Sequence, residues 1–199
     1  DYNYVNRKAD FAQVFEELIF LTVFIAIGVL IRFWKLSSWS FWADEIFSVQ
    51  DALKFPDTMN INPMIYCIIK NFASSFGIGE WSARLGPCII GIISIPIIYW
   101  FARSMFGVRT GIISTLFLTV HPWHIFWSQN ARAYTLAFLF SAISAAFFYQ
   151  AFEKDKVRYT LGSLLFTVLA ISSYLHCVLL LPVFVAYLML ITFLPVNMP

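Results

Sequence analysis

Residues 62–76, Asn62-Pro63-Met64-Ile65-Tyr66-Cys67-Ile68-Ile69-Lys70-Asn71-Phe72-Ala73-Ser74-Ser75-Phe76 (NPMIYCIIKNFASSF), decide how the chain is threaded. If they cross a membrane, every later connection changes sides; if they lie along its surface, none does. The unbroken apolar run is only Met64 to Ile69, well short of the roughly 17 to 25 residues that a spanning helix needs. Lys70, Asn71, Ser74 and Ser75 recur at spacings that place them on one helical face. The segment therefore reads as an amphipathic surface helix, with Pro63 in its first turn and Asn62 as N-cap.

Outward from this helix the composition leaves little choice of solvent. The 199 residues are 60 % hydrophobic and 12 % charged, with 22 Phe, 7 Trp and 9 Tyr, against about 45 to 50 % and 25 % in soluble domains. The mean hydropathy is +0.77. The fold class expected is all-α, a polytopic membrane helical bundle of about six spans: 16–34, 85–102, 110–127, 133–152, 159–175 and 177–194. Residues 35–84 form the first long loop, with surface helices, and 1–199 read as one transmembrane module of a longer protein. The first apolar run is too long for a cleaved signal alone. No basic patch suggests nucleic acid, and Cys67, Cys88 and Cys177 form no disulfide framework or C-x-x-C site.

Charge sets the orientation. Arg7, Lys8, Arg103, Arg109, Lys154, Lys156 and Arg158 fall on one side in short connections, while Lys35, Lys54, Lys70, Arg84 and Arg132 oppose them. Short basic loops stay cytoplasmic, so both termini of this segment are expected inside, in a multi-pass protein of the plasma membrane. Asp44, Glu45, Asn62, Arg84, Gln129, Arg132 and His176 then gather on the extracytoplasmic face.

Each of these has a bland alternative. Asp44 and Glu45 lie among Trp39, Phe41 and Trp42; charges near hydrocarbon face a cavity, a partner or headgroups, and helical neighbours point about 100° apart. One carboxylate can act while the other braces or binds a metal, or both face water. Arg84 can fork a phosphate or snorkel to a headgroup. The turn Ser128-Gln129-Asn130-Ala131-Arg132-Ala133-Tyr134 is a concentrated polar site or a polar cap. His121 and His124 lack a clear third ligand for zinc, so packing or hydrogen bonding is their reading. His176 is an interface residue or a site residue.

The ordered series Arg32-Phe33, Trp42 to Ser48 with Asp44-Glu45, Asn62-Pro63, Phe76-Gly77 with Glu80, Arg84-Leu85, Phe106-Gly107 with Gly111, Pro122, Ser128-Gln129, Ala131-Arg132 with Tyr134, and Tyr174 with His176 resembles membrane glycosyltransferases that use polyprenyl-phosphate sugars. The likeness is to the family 39 type, which includes protein O-mannosyltransferases and the aminoarabinose transferases that modify lipid A. It implies an inverting transferase that passes a sugar from a polyprenyl phosphate to a hydroxyl or phosphate of a protein, glycan or lipid. By motif, Asp44 is the general base and Glu45 supports it or contributes to a divalent ion. Arg84, Arg132, Gln129, Tyr134 and His176, with Asn62 and Lys70 of the surface helix, are implied on the substrate side.

Two departures stand out. The family usually has two prolines where this chain has Asn62-Pro63-Met64, and its members run to several hundred residues. No cofactor is certain, that divalent ion included; the implied partners are membrane lipid, the lipid-linked donor and the acceptor. Two other readings are a non-catalytic or truncated polyprenyl-phosphate-binding subunit and a transporter. A transporter would carry its polar residues at mid-membrane, where these spans are nearly bare.

Overall fold

The computed structural model describes residues 2–57, 62–154 and 156–193. Arg7, Lys8 and Lys154, on which the orientation partly rests, lie outside the residues whose side chains are described. Among the described residues all regular structure is helical: α1 (Tyr2–Phe33), α2 (Ala43–Lys54), α3 (Pro63–Phe76), α4 (Glu80–Phe106), α5 (Val108–Val120), α6 (Pro122–Ser128), α7 (Tyr134–Lys154), α8 (Val157–Ser173), a 3-10 turn (Leu175–Leu179) and α9 (Leu180–Phe193).

Four stretches are long and apolar enough to cross a membrane: Val14–Phe33, Glu80–Phe106, Tyr134–Glu153 and Leu175–Phe193. Two shorter apolar helices, Val108–Val120 and Val157–Ser173, accompany them. The architecture is a polytopic helical bundle. One expected span needs correcting: 110–127 is not a continuous helix, because it breaks at His121-Pro122 into the 13-residue α5 and the 7-residue α6. Proline has no N–H for the carbonyl four residues back and its ring crowds that carbonyl; α4 runs on through Pro87 and Pro96, but here His121 before the proline is extended and the helix ends.

Helix α4 is the axis of the bundle, touching α1, α3, α5, α6 and α7. Glycine makes this closeness available at two points. A Cβ on Gly86 would lie 2.3 Å from Ile68 Cγ2 of α3, and one on Gly91 would lie 2.1 Å from Ser128 Oγ and 2.8 Å from Ser128 Cβ of α6. Ser128 is itself fully buried and held by its Oγ bond to the His124 carbonyl at 2.6 Å, so it has nowhere to retreat. Gly91→Ala is expected to cost about 1–3 kcal/mol by overpacking, read as a lower melting temperature in detergent, whereas Gly79→Ala, whose Cβ would meet nothing within 4 Å, is expected to leave it unchanged.

Helix α3 is amphipathic in the way its sequence indicates. Ile65, Tyr66, Ile69 and Ala73 are buried, one stripe at helical spacing, and they join Val49 and Ala52 of α2, Ala83 of α4, and Ala131 and Ala133 in a single cluster. Asn71, Ser74 and Ser75 do not share that burial. Pro63 opens the helix, and Asn62 precedes it without a side-chain capping bond. This small core fixes α2, and with it the acidic pair, over the mouth of α4 and the 128–132 turn.

Candidate active site

The two carboxylates of α2 face different partners. Glu45 is fully buried and forms a bidentate fork with Arg84, Nε to Oε1 at 2.8 Å and Nη2 to Oε2 at 2.7 Å. The Ala131 N–H donates to the same Oε1 at 2.7 Å. Arg84 Nη1 donates to the carbonyls of Leu36 and Trp39 at 3.0 and 2.9 Å, and Nη2 to that of Ser40 at 3.4 Å. All five N–H groups of the guanidinium are thereby spent. Arg84 ties the 36–40 link, α2, α4 and the 128–132 turn together and has no N–H left for a phosphate, which is the correction to its reading as an anion fork. Glu45 Oε1 accepts two of these bonds and Oε2 one, and among the described residues there is no group of three or more His, Cys, Asp or Glu side chains that could hold a metal ion.

Asp44 points the other way. Its side chain is 45 % exposed and its Oδ2 lies 3.8 Å from Arg132 Nη2. Arg132 is also anchored on α2, donating Nη1 to the Asp44 carbonyl at 3.2 Å and to Ser48 Oγ at 3.0 Å. From there a row of polar and aromatic groups continues: the Arg132 guanidinium lies 5.7 Å from the centre of the Tyr134 ring, Tyr134 meets Tyr174 at 5.1 Å, and Tyr174 stacks on His176 at 4.7 Å. On the α3 side, Tyr66 lies close to Asp51, Asn62 and Arg132. Burial first and the Asp51 charge second push its hydroxyl pKa up, with Asn62 and then Arg132 opposing. Asp44, Arg132, Tyr134, Tyr174 and His176 thus form one connected row.

The remaining two candidates are tied to backbone. Lys70 donates to the Phe55 carbonyl beyond the end of α2, fastening α3 to it. Gln129 Nε2 donates to the carbonyls of Ile31, Arg32 and Trp34 at 3.1, 3.2 and 2.9 Å. These are acceptors that the end of α1 leaves without helical partners.

Arg32, quoted above only within the resemblance, turns out to do the converse. It is fully buried and donates to the carbonyls of Leu118 and Thr119 and to that of Gly28, at 3.2, 3.2 and 3.3 Å. Leu118 is four residues before Pro122, so its carbonyl is the one that proline deprives of a donor. Its Nη2 also lies 2.9 Å from His124 Nδ1, which must accept. Gln129 thus caps the end of α1, and Arg32 of α1 caps the end of α5. The sequence signal available for this was an arginine ending one apolar helix in a chain with a proline breaking another.

A cavity of about 500 Å³ is bounded by Lys35, Leu36, Trp39, Ser40, Trp42, Phe126, Gln129 and Asn130, with the Glu45–Arg84 pair as part of its wall. Trp42 Nε1 donates to Asn130 Oδ1 at 2.9 Å, which fixes the ring in the cavity wall. Asp44 and Arg132 are not among its lining residues, whereas Arg84 is.

Comparison with protein-family models finds a match to the family described as dolichyl-phosphate-mannose-protein mannosyltransferase over residues 60–195. No curated protein and no solved structure matches the chain. The matched stretch runs from the approach to α3 to beyond α9, and begins after Asp44 and Glu45. Because it takes in well over half of a chain whose helices are built for a membrane, the chain belongs to the dolichyl-phosphate-mannose-protein mannosyltransferase family and is a membrane glycosyltransferase of that general kind.

Proposed function

We propose that the chain carries the transfer site of an inverting glycosyltransferase, in which Asp44 is the general base and Arg132 the cation at the departing phosphate. The donor is a sugar on a polyprenyl phosphate, and the acceptor is a hydroxyl or phosphate of a protein, glycan or lipid at the extracytoplasmic face of the plasma membrane. The observation that carries this reading is a half-exposed carboxylate 3.8 Å from an arginine, each held by backbone that neighbouring side chains lock in place.

The acceptor oxygen attacks the anomeric carbon from the side opposite the phosphate. The new carbon–oxygen bond forms as the bond to the phosphate oxygen breaks, the acceptor proton passes to the Asp44 carboxylate, and the electron pair leaves on the phosphate. A carboxylate within about 3 Å of the acceptor can take that proton. A fixed cation is worth most where the leaving charge develops, and Arg132, with its ring neighbours Tyr134 and Tyr174 and the imidazole of His176 beyond, supports that end. Glu45 and Arg84 act as positioning residues: they hold α2 against the 128–132 turn and so set the separation of Asp44 from Arg132.

The test is transfer of radiolabelled sugar from candidate polyprenyl-phosphate donors by membranes containing the protein. Arg132→Gln is expected to lower turnover about a hundredfold, with partial recovery in Arg132→Lys, which restores the charge without the fork. Turnover of Arg132→Gln within twofold of the parent removes Arg132 from the site.

A further inference from the structure

The aromatic cavity and the surface beside it carry features that the transfer chemistry does not use. Lys35 stands at its edge, exposed, with no carboxylate within ion-pairing distance among the described residues. The acid in the cavity wall, Glu45, is already neutralised by Arg84 at 2.7 Å, so the cavity has an uncompensated positive charge. The other walls are mostly rings and apolar chains: Leu36, Trp39, Trp42 and Phe126.

The backbone of Lys35 supplies an independent observation. Its φ is +56°, the one positive value at a non-glycine residue among those described. It follows the last turn of α1, where a left-handed residue closes the helix and glycine is usual. Holding a lysine there costs roughly 1–2 kcal/mol relative to the right-handed region. The Lys35 carbonyl is fixed in that turn by the backbone N–H and hydroxyl of Ser38, at 3.1 and 2.8 Å. Strain kept at a position where a residue without a side chain fits better points to use of the side chain.

On the other side of Lys35 the surface is apolar. Leu30, Ile31 and Trp34 line a shallow groove at the end of the membrane-length stretch Val14–Phe33, with Leu30 71 % and Trp34 70 % exposed. The Gln129 side chain joins the two features, lining the cavity and donating to the Trp34 carbonyl. A cation therefore stands between a polar-mouthed aromatic cavity and a groove on a lipid-length helix. That is the pattern of an amphiphile with an anionic head.

We propose that this edge of α1 is a docking site for an anionic phospholipid of the bilayer, its phosphate on Lys35, its head in the Trp39–Trp42–Phe126 cavity and an acyl chain along Leu30, Ile31 and Trp34. The site is separate from the Asp44 row and does not depend on the transfer reading. Occupancy would brace the link between α1 and α2.

The full chain is reconstituted in phosphatidylcholine nanodiscs containing a small share of photoactivatable phosphatidylglycerol, or of phosphatidylcholine bearing the same group, and labelled peptides are mapped. Adducts on residues 30–42 and 126–130 are expected to be enriched for the anionic lipid. One lysine near an anionic membrane surface is worth roughly a fivefold change in binding. Lys35→Asn removes the charge while keeping a residue tolerant of positive φ, and is expected to bring labelling down by that factor to the phosphatidylcholine level; Lys35→Arg is expected to retain it. Equal labelling by the two lipids, or an unchanged pattern in Lys35→Asn, overturns the proposal. So does competition by polyprenyl phosphate but not by unlabelled phosphatidylglycerol, or by free glycerol phosphate as effectively as by the lipid. Sugar transfer by Lys35→Asn in phosphatidylcholine is expected to match the parent, which separates the fate of this site from that of the transfer site.

Discussion

Asp44→Asn is expected to lower sugar transfer by about a hundredfold to ten-thousandfold, the range for loss of a positioned general base, without unfolding the protein. The size of the loss follows from chemistry: asparagine occupies the same space and keeps hydrogen-bonding capacity but cannot accept the acceptor's proton. Its selectivity follows from the structure. Asp44 is half-exposed and its side chain has a single loose ion pair, 3.8 Å to Arg132, of a kind that contributes about 0–1 kcal/mol. The stronger anchors of Arg132 on α2 go to the Asp44 backbone carbonyl and to Ser48 Oγ, and both survive the substitution. The measurement is radiolabelled transfer beside a thermal melt in the same detergent. Near-normal turnover sinks the base assignment. A melting temperature that falls along with activity shows instead that Asp44 matters to the fold.

How much of this was legible beforehand depends on whether the determining interaction was local. The α3 reading was local: an apolar stripe at helical spacing and a proline at the start are properties of fifteen consecutive residues, and the helix packs by that stripe. The helical bundle was legible from apolar length for the same reason. The break at Pro122 was local too, but apolar composition masked it, since residues 110–127 are hydrophobic on both sides of the proline. What no local pattern revealed was which polar groups would consume one another. Arg84 meets Glu45 across 39 positions and Gln129 meets the α1 carbonyls across more than 90. An arginine with a free fork and one with every N–H engaged are identical in sequence. Adjacency did carry one useful inference, that neighbouring helical carboxylates point to different places, and Asp44 and Glu45 do face Arg132 and Arg84 respectively.

That division leads to the second large effect. Glu45→Gln is expected to destabilise the protein by about 3–5 kcal/mol, because removing one partner of a buried ion pair leaves the other charge uncompensated. Glutamine keeps one acceptor oxygen, but it cannot answer both Arg84 Nε and Nη2 while also accepting from Ala131 N–H. Arg84→Met is expected to cost as much, since it strips Glu45 of its cation and orphans the carbonyls of Leu36, Trp39 and Ser40. Arg84→Lys should recover only part, as an ammonium cannot span both carboxylate oxygens and three carbonyls. For a chain of this size the loss corresponds to a melting temperature lower by on the order of 10 °C, read by intrinsic fluorescence in detergent. The pair has a further signature: Glu45→Gln with Arg84→Met should cost less than the two single losses added, because the second change removes a charge the first had already stranded. A catalytic Glu45 with no structural duty predicts the reverse, an inactive protein with an unchanged melt and additive singles. Activity in Glu45→Gln, where folded protein can be recovered, is expected to fall with the geometry of the 128–132 turn, since the same carboxylate that neutralises Arg84 also holds the Ala131 N–H beside Arg132.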